Sequence, residues 1–144
     1  MADEAARLTG VWVLRAAYIE LVDKKERAFP FGDDPHGVLI LDEGGRMAAI
    51  ITPALNPGDA PPPPRKFAAY SGRYRIEPGG RFVTDVDIAW LPTWLGTQQG
   101  RNFSFHDGEL HIATDPAPFE WLDGAVGVGV VIFAREDGAA HASG

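Results

Sequence analysis

The sequence predicts an all-β protein: a closed antiparallel up-and-down barrel of about eight strands behind a short N-terminal helical turn. Three observations lead there. Segments of alternating apolar and polar residues recur along the chain, joined by turns rich in Gly, Pro and Asp. An antiparallel meander of this kind buries its edges best by closing on itself. The chain ends also carry matching pieces, since Gly10-Val11-Trp12 opens the first apolar run and Val131-Ile132-Phe133-Ala134-Arg135 closes the last. The glycine permits a tight turn and the tryptophan plugs one end of the barrel. The arginine can lie over the indole, a contact worth about 0.5–2 kcal/mol.

Each element follows in order. Residues 3–8 suit a turn or two of helix. The run from Val11 to Val22 is too β-branched and aromatic for a helix and reads as the first strand. Phe29 to Pro35 is turn chemistry. Val38 to Leu41 and Arg46 to Thr52 are strands of one hairpin around Asp42-Glu43-Gly44-Gly45. Residues Pro53 to Lys66 hold six prolines and cannot enter a ladder; Pro61 to Pro64 favours a polyproline II bridge, and the whole segment suits a mobile lid near the barrel mouth. Phe67 to Ile76 and Arg81 to Trp90 form the next hairpin around Pro78-Gly79-Gly80, and Leu91 to Gly96 is a corner. Thr97 to Phe105 and Glu109 to Thr114 pair through His106-Asp107-Gly108. Asp115 to Gly124 reads as a loop whose Phe119 and Trp121 cover something apolar, Val126 to Arg135 is the last strand, and Glu136 to Gly144 is a frayed tail.

Size and composition narrow the function classes. A chain of 144 residues fits one domain, and no internal repeat is present. Its net charge of −7 argues against a nucleic-acid backbone or an anionic membrane as partner. There is no cysteine, hence no disulfide framework and no thiolate chemistry, which suits a reducing compartment. Met1-Ala2-Asp3-Glu4 lacks the apolar core of a signal peptide, so the expected location is the cytoplasm.

Strand alternation sorts the interior from the surface. Tyr70, Tyr74 and Ile76 share a face opposite Arg73 and Arg75; Phe82, Thr84, Val86, Ile88 and Trp90 share one opposite Asp85 and Asp87. Gln99, Arg101, Phe103 and Phe105 form a third inward set, Trp12, Leu14, Ala16 and Tyr18 a fourth, and Met47, Ala49 and Ile51 a fifth. The expected ligand-binding residues are Tyr70, Tyr74, Thr84, Trp90, Gln99, Arg101, Phe103 and Met47, all facing one internal cavity. A fixed fork of donors suits an anion, so Arg101 reads either as an anchor for an acidic ligand or as a structural cap on a carbonyl. His106 and His111 flank Asp107 and Glu109 without a compact ligand spacing, so they read as a solvated hairpin, and no metal or other cofactor is expected. His36, after Asp33-Asp34-Pro35, falls at the mouth.

The segment Phe67-Ala68-Ala69-Tyr70-Ser71-Gly72-Arg73-Tyr74, followed by Pro92-Thr93-Trp94-Leu95-Gly96-Thr97-Gln98-Gln99-Gly100-Arg101, resembles the bacterial and fungal lipocalin-like domain family. Leu8 to Leu14, Pro35 to Leu39 and Gly45-Arg46-Met47 match its early motifs in the same order. The resemblance implies a small lipocalin-type barrel. Two departures stand out: Thr84 occupies a position where the family often carries histidine, and the usual helical crossover is here the proline-rich segment.

The expected function is binding of a small hydrophobic or aromatic, optionally acidic, molecule inside the barrel. An alternative is a lipocalin-like cyclase, isomerase or dehydratase of a polyketide- or terpenoid-like substrate, with Tyr70 or Tyr74 as general acid and Arg101 polarising an oxygen. A third reading fills the barrel with side chains and leaves Phe119 and Trp121 to bind a protein. Oligomeric state is open, with a homodimer among the options.

Overall fold

The computed structural model describes residues 2–23 and 25–136. The expected tail therefore lies, from residue 137 on, outside the described residues. Helix α1 (Ala2–Leu8) leads into β1 (Gly10–Leu21), followed by the two-residue β2 (Arg27–Ala28), β3 (His36–Leu41) and β4 (Arg46–Thr52). Next come β5 (Ala68–Glu77), β6 (Arg81–Ala89), β7 (Gln98–His106) and β8 (Glu109–Ala113), then the short β9 (Ala117–Phe119) and β10 (Ala125–Arg135). Among the described residues all ten strands join one antiparallel sheet, which closes where β1 pairs with β10, Trp12 opposite Arg135. Eight strands make the barrel; β2 and β9 are short additions at its mouth.

The floor is built as the chain ends suggest. Trp12 is 1% exposed; its Nε1 donates to the Leu8 carbonyl at 2.8 Å, and the Arg135 guanidinium lies 4.2 Å above its ring. That guanidinium also donates to the carbonyls of Thr9 and Arg7, tying α1 to the last strand. Gly10 makes room: at φ 137° it turns the chain where a Cβ would run into the Arg135 guanidinium. Leu8, Leu41, Leu110 and Phe133 complete a dry core beside the indole.

Two β-bulges correct the expected parity. Leu14 faces Phe133 but Ala16 faces Ile132, so Arg15 is an extra residue in β1. Beyond it Ala17 and Ile19 point inward, while Tyr18 still borders the cavity and the Arg27 guanidinium stacks 3.9 Å from its ring. In β6, Gly72 faces Val86 and Ser71 faces Ile88, which leaves Asp87 unpaired. Gly72 is required there, because a Cβ would collide with the Asp85 carbonyl. Phe82, Thr84 and Val86 are buried as alternation predicts, whereas Ile88 (63% exposed) and Trp90 (56%) lie outside.

Candidate functional site

Above the packed floor the barrel opens into a cavity of about 300 Å³, at the low end of the ~300–1,000 Å³ of ligand pockets. Its walls are apolar. Met47, Ala49 and Ile51 of β4 project into it because their alternate neighbours, Ala48 and Ile50, face out. Phe82, Ile112 and Phe133 form its lower surface. At the mouth the proline-rich segment ends in a 3-10 turn, Pro64–Lys66, and Pro64, Arg65 and Phe67 cover one side. Phe119 and Trp121, from β9 and the 3-10 turn after it, cover the other, so these aromatics line the cavity and do not stand apart from it. The Arg65 guanidinium lies 5.5 Å from the Trp121 ring, a cation–π contact that bridges the two sides.

Arg101 enters from the middle of β7. Its Nη1 donates to the Gly100 carbonyl at 2.9 Å and its Nη2 to Gln99 Oε1 at 3.0 Å; Gln99 Nε2 in turn donates to Thr97 Oγ1 at 2.9 Å. The guanidinium is held in place without a carboxylate. The nearby Asp115 bonds elsewhere: Asn102 Nδ2 (3.0 Å) and Arg81 Nη1 (3.3 Å) both donate to its Oδ1, and these bonds, with the charge of Arg81 and more weakly that of Arg101, hold its carboxyl below the usual range.

Tyr70 faces the same cavity from β5 with its ring edge-on to Trp94 at 5.1 Å. Burial pushes its phenol above the ordinary value of 10, and the Arg101 charge pulls it partly back. No hydrogen bond engages the Tyr70 hydroxyl among the described residues. The cavity therefore offers two guanidiniums, Arg65 and Arg101, and the phenols of Tyr18 and Tyr70. No Asp, Glu or His lines it among the described residues.

Of the residues expected to face the cavity, Met47, Tyr70 and Arg101 do so. Gln99 stands behind Arg101 and orients it. Phe103 is buried beneath, 6.1 Å from the Phe82 ring. Tyr74 lies at the floor, where its hydroxyl donates to the Asp42 carbonyl at 3.0 Å and its ring meets Phe82 edge-on. Thr84 is 1% exposed, packed away from the cavity with its Oγ1 unpartnered. Trp90 is the plain correction: the bulge at Asp87 turns it outside, against Phe67 at 5.2 Å, and Trp94 takes its place in the wall. His36 sits at the rim, 3.6 Å from Asp34, and His106 contacts Ser104 and His111 on the outer surface.

The family profile of the lipocalin-like domain matches residues 9–136. The chain belongs to that family. The matched span runs from the residue before the Gly10 turn to the residue after Arg135, so it covers every strand of this lipocalin-like barrel. Comparison with curated proteins returns no match. No helix among the described residues is long and apolar enough to cross a membrane.

Proposed function

We propose that this lipocalin-like barrel binds a small hydrophobic molecule that carries an acidic group, with the apolar body in the cavity and the acid on Arg101. One observation carries the reading: in a chain of net charge −7, the cavity wall holds Arg65 and Arg101 and no acidic residue among those described. Neither arginine forms an ion pair within the described residues, and of the two Arg65 is exposed to solvent while Arg101 is part-buried. A guanidinium facing an apolar cavity is costly unless an anion meets it. The ligand would supply that anion, and the Tyr70 hydroxyl would donate a second hydrogen bond to it. The apolar wall supplies affinity at about 25 cal/mol per Å² of ligand surface buried.

The lack of a carboxylate or imidazole base in the wall among the described residues favours binding over the cyclase, isomerase or dehydratase alternative, which needs a group to take a proton. Trp94 and Trp121 line the cavity and report on it directly. The test is a fluorescence titration with small aromatic acids and their methyl esters. Saturable quenching by acids, with weaker quenching by esters of the same body, supports the proposal. Equal affinity for acid and ester, or no quenching by either, refutes it.

A further inference from the structure

The two sides of the cavity mouth are held in unlike ways. Phe119 and Trp121 stand on an anchored side. There β9 is laddered to β10, with Phe119 opposite Ala125 and Ala117 opposite Gly127. The turn that carries Trp121 is closed by the Gly124 amide, which donates to the Phe119 carbonyl at 2.9 Å, and by the Asp123 amide, which donates to the Glu120 carbonyl at 3.1 Å. The strap facing it, residues 53–67 between β4 and β5, has no such tie. Among the described residues its hydrogen bonds stay inside it, joining Asn56 with Asp59, Lys66 with Pro63 and Phe67 with Pro64. No ion pair among the described residues joins it to the barrel either. Its prolines make it stiff: Pro63, at φ −64° and ψ 154°, has the polyproline II conformation of a semi-rigid spacer. Its β5 end is fixed, because Phe67 packs on Trp90 at 5.2 Å and the Trp90 amide donates to the Ala69 carbonyl at 2.9 Å. Across the mouth the strap is held by apolar packing and by the Arg65 guanidinium, 5.5 Å from the Trp121 ring.

We propose that the strap is the moving half of the mouth and that Arg65 on Trp121 is its latch. A segment with no backbone bond to the barrel opens at the cost of its packing alone, whereas β9 opens only by breaking its ladder with β10. The two partners of the latch stand on opposite sides of the mouth, so their contact exists only while the mouth is shut. An exposed cation–π contact biases such an opening by about two- to fivefold. That is strong enough to set how often the mouth opens and weak enough to break at each passage. The latch rests on the ligand reading above for its use and not for its existence. It controls how fast a ligand enters and leaves, not how tightly it is held, because it forms over an empty and a filled cavity alike. Arg101 lies on β7, outside the strap, so reading the acid and guarding the mouth are separate tasks.

The chain has no cysteine, so a single introduced thiol reports the opening. Ala49→Cys puts one on the cavity wall at a position 6% exposed, where a bulky aromatic disulfide reagent reaches it only through the mouth. In that background Arg65→Met removes the charge and keeps an apolar stem, and Trp121→Leu removes the ring. Each should speed labelling about two- to fivefold, and both together no more than either alone, because they break one contact. Leu110→Cys, in the floor, labels only on global unfolding and should react equally in every background. Four results overturn the latch: labelling of the cavity thiol at the rate of a free thiol before either substitution, no acceleration in either variant, multiplied effects in the double variant, or equal acceleration of the floor thiol. A ligand arm keeps the two proposals apart. For the methyl ester, which offers Arg65 no charge, Arg65→Met should raise the association and dissociation rates by one factor and leave Kd within about twofold. A change in one rate alone overturns the latch. If neither acid nor ester binds, the proposed function fails and the thiol rates still decide the latch.

Discussion

Replacing Arg101 by leucine separates its two roles. Within the protein the guanidinium makes two hydrogen bonds, to the Gly100 carbonyl and to Gln99 Oε1, both acceptors close to it in sequence on β7. Losing them leaves no buried carboxylate unpaired, and leucine restores apolar volume, so the melting temperature should move little. Toward a ligand the change is large. Each Nη still has an N–H beyond the one it uses internally, a pair suited to a carboxylate. Removing a charged hydrogen bond costs about 1.5–3 kcal/mol, which corresponds to about 10- to 150-fold in dissociation constant. The methyl ester of the same acid has no charge to lose and should change about twofold or less. Fluorescence titrations of wild type and Arg101→Leu with matched acid and ester provide the comparison, with calorimetry as a check on Kd. An equal loss for acid and ester would show that Arg101 shapes the cavity and does not read charge. No loss for the acid would place the anion elsewhere, with Arg65 the remaining cation in the wall.

Trp12→Ala should destabilise the barrel by about 3–5 kcal/mol, because it empties a site that is almost wholly enclosed and removes the indole beneath Arg135; urea unfolding giving a loss below ~1 kcal/mol would contradict the floor assignment. Tyr70 makes stability depend on alkaline pH. Its phenol holds a proton more tightly when folded than the ordinary value of 10, so above pH 10 the unfolded chain deprotonates first and stability falls as pH rises. Tyr70→Phe should make that decline shallower, and an identical slope in both proteins would show that burial of Tyr70 is not its source.

The elements were legible in the sequence because their signals are local. Period-two alternation marked Arg46–Thr52, and Asp42 to Gly45 and Pro78 to Gly80 marked the hairpins without reference to anything distant. The candidate site was legible only in part, for two physical reasons. Parity gives the side of a strand on which a residue sits and says nothing of its depth. Tyr70 and Tyr74 share a face of β5, yet one borders the cavity and the other bonds to the floor hairpin at Asp42. The mouth is also assembled from segments distant in sequence. Arg65 and Trp121 meet only because the strands between them close a barrel, so no spacing announces the contact.

The bulges were illegible, and they shape the interior most. Strict alternation would put Ala16, Ile88 and Trp90 inside the barrel. The extra residue Arg15 turns Ala17 inward, and the extra residue Asp87 sets Ala89 opposite Tyr70. In β6 an alanine thereby takes the position of Ile88, which leaves room above the floor, whereas in β1 Ala17 takes the place of Ala16 and Ile19 follows it inward. The bulge at Asp87 has a second effect in the same step. It turns Ile88 and Trp90 outward, while Asp87, on the outer face by alternation as well, accepts the bidentate bond of Arg46. The room beside Tyr70 and the outward turn of Ile88 and Trp90 thus share one cause, a single residue inserted opposite Gly72, where no side chain could be accommodated.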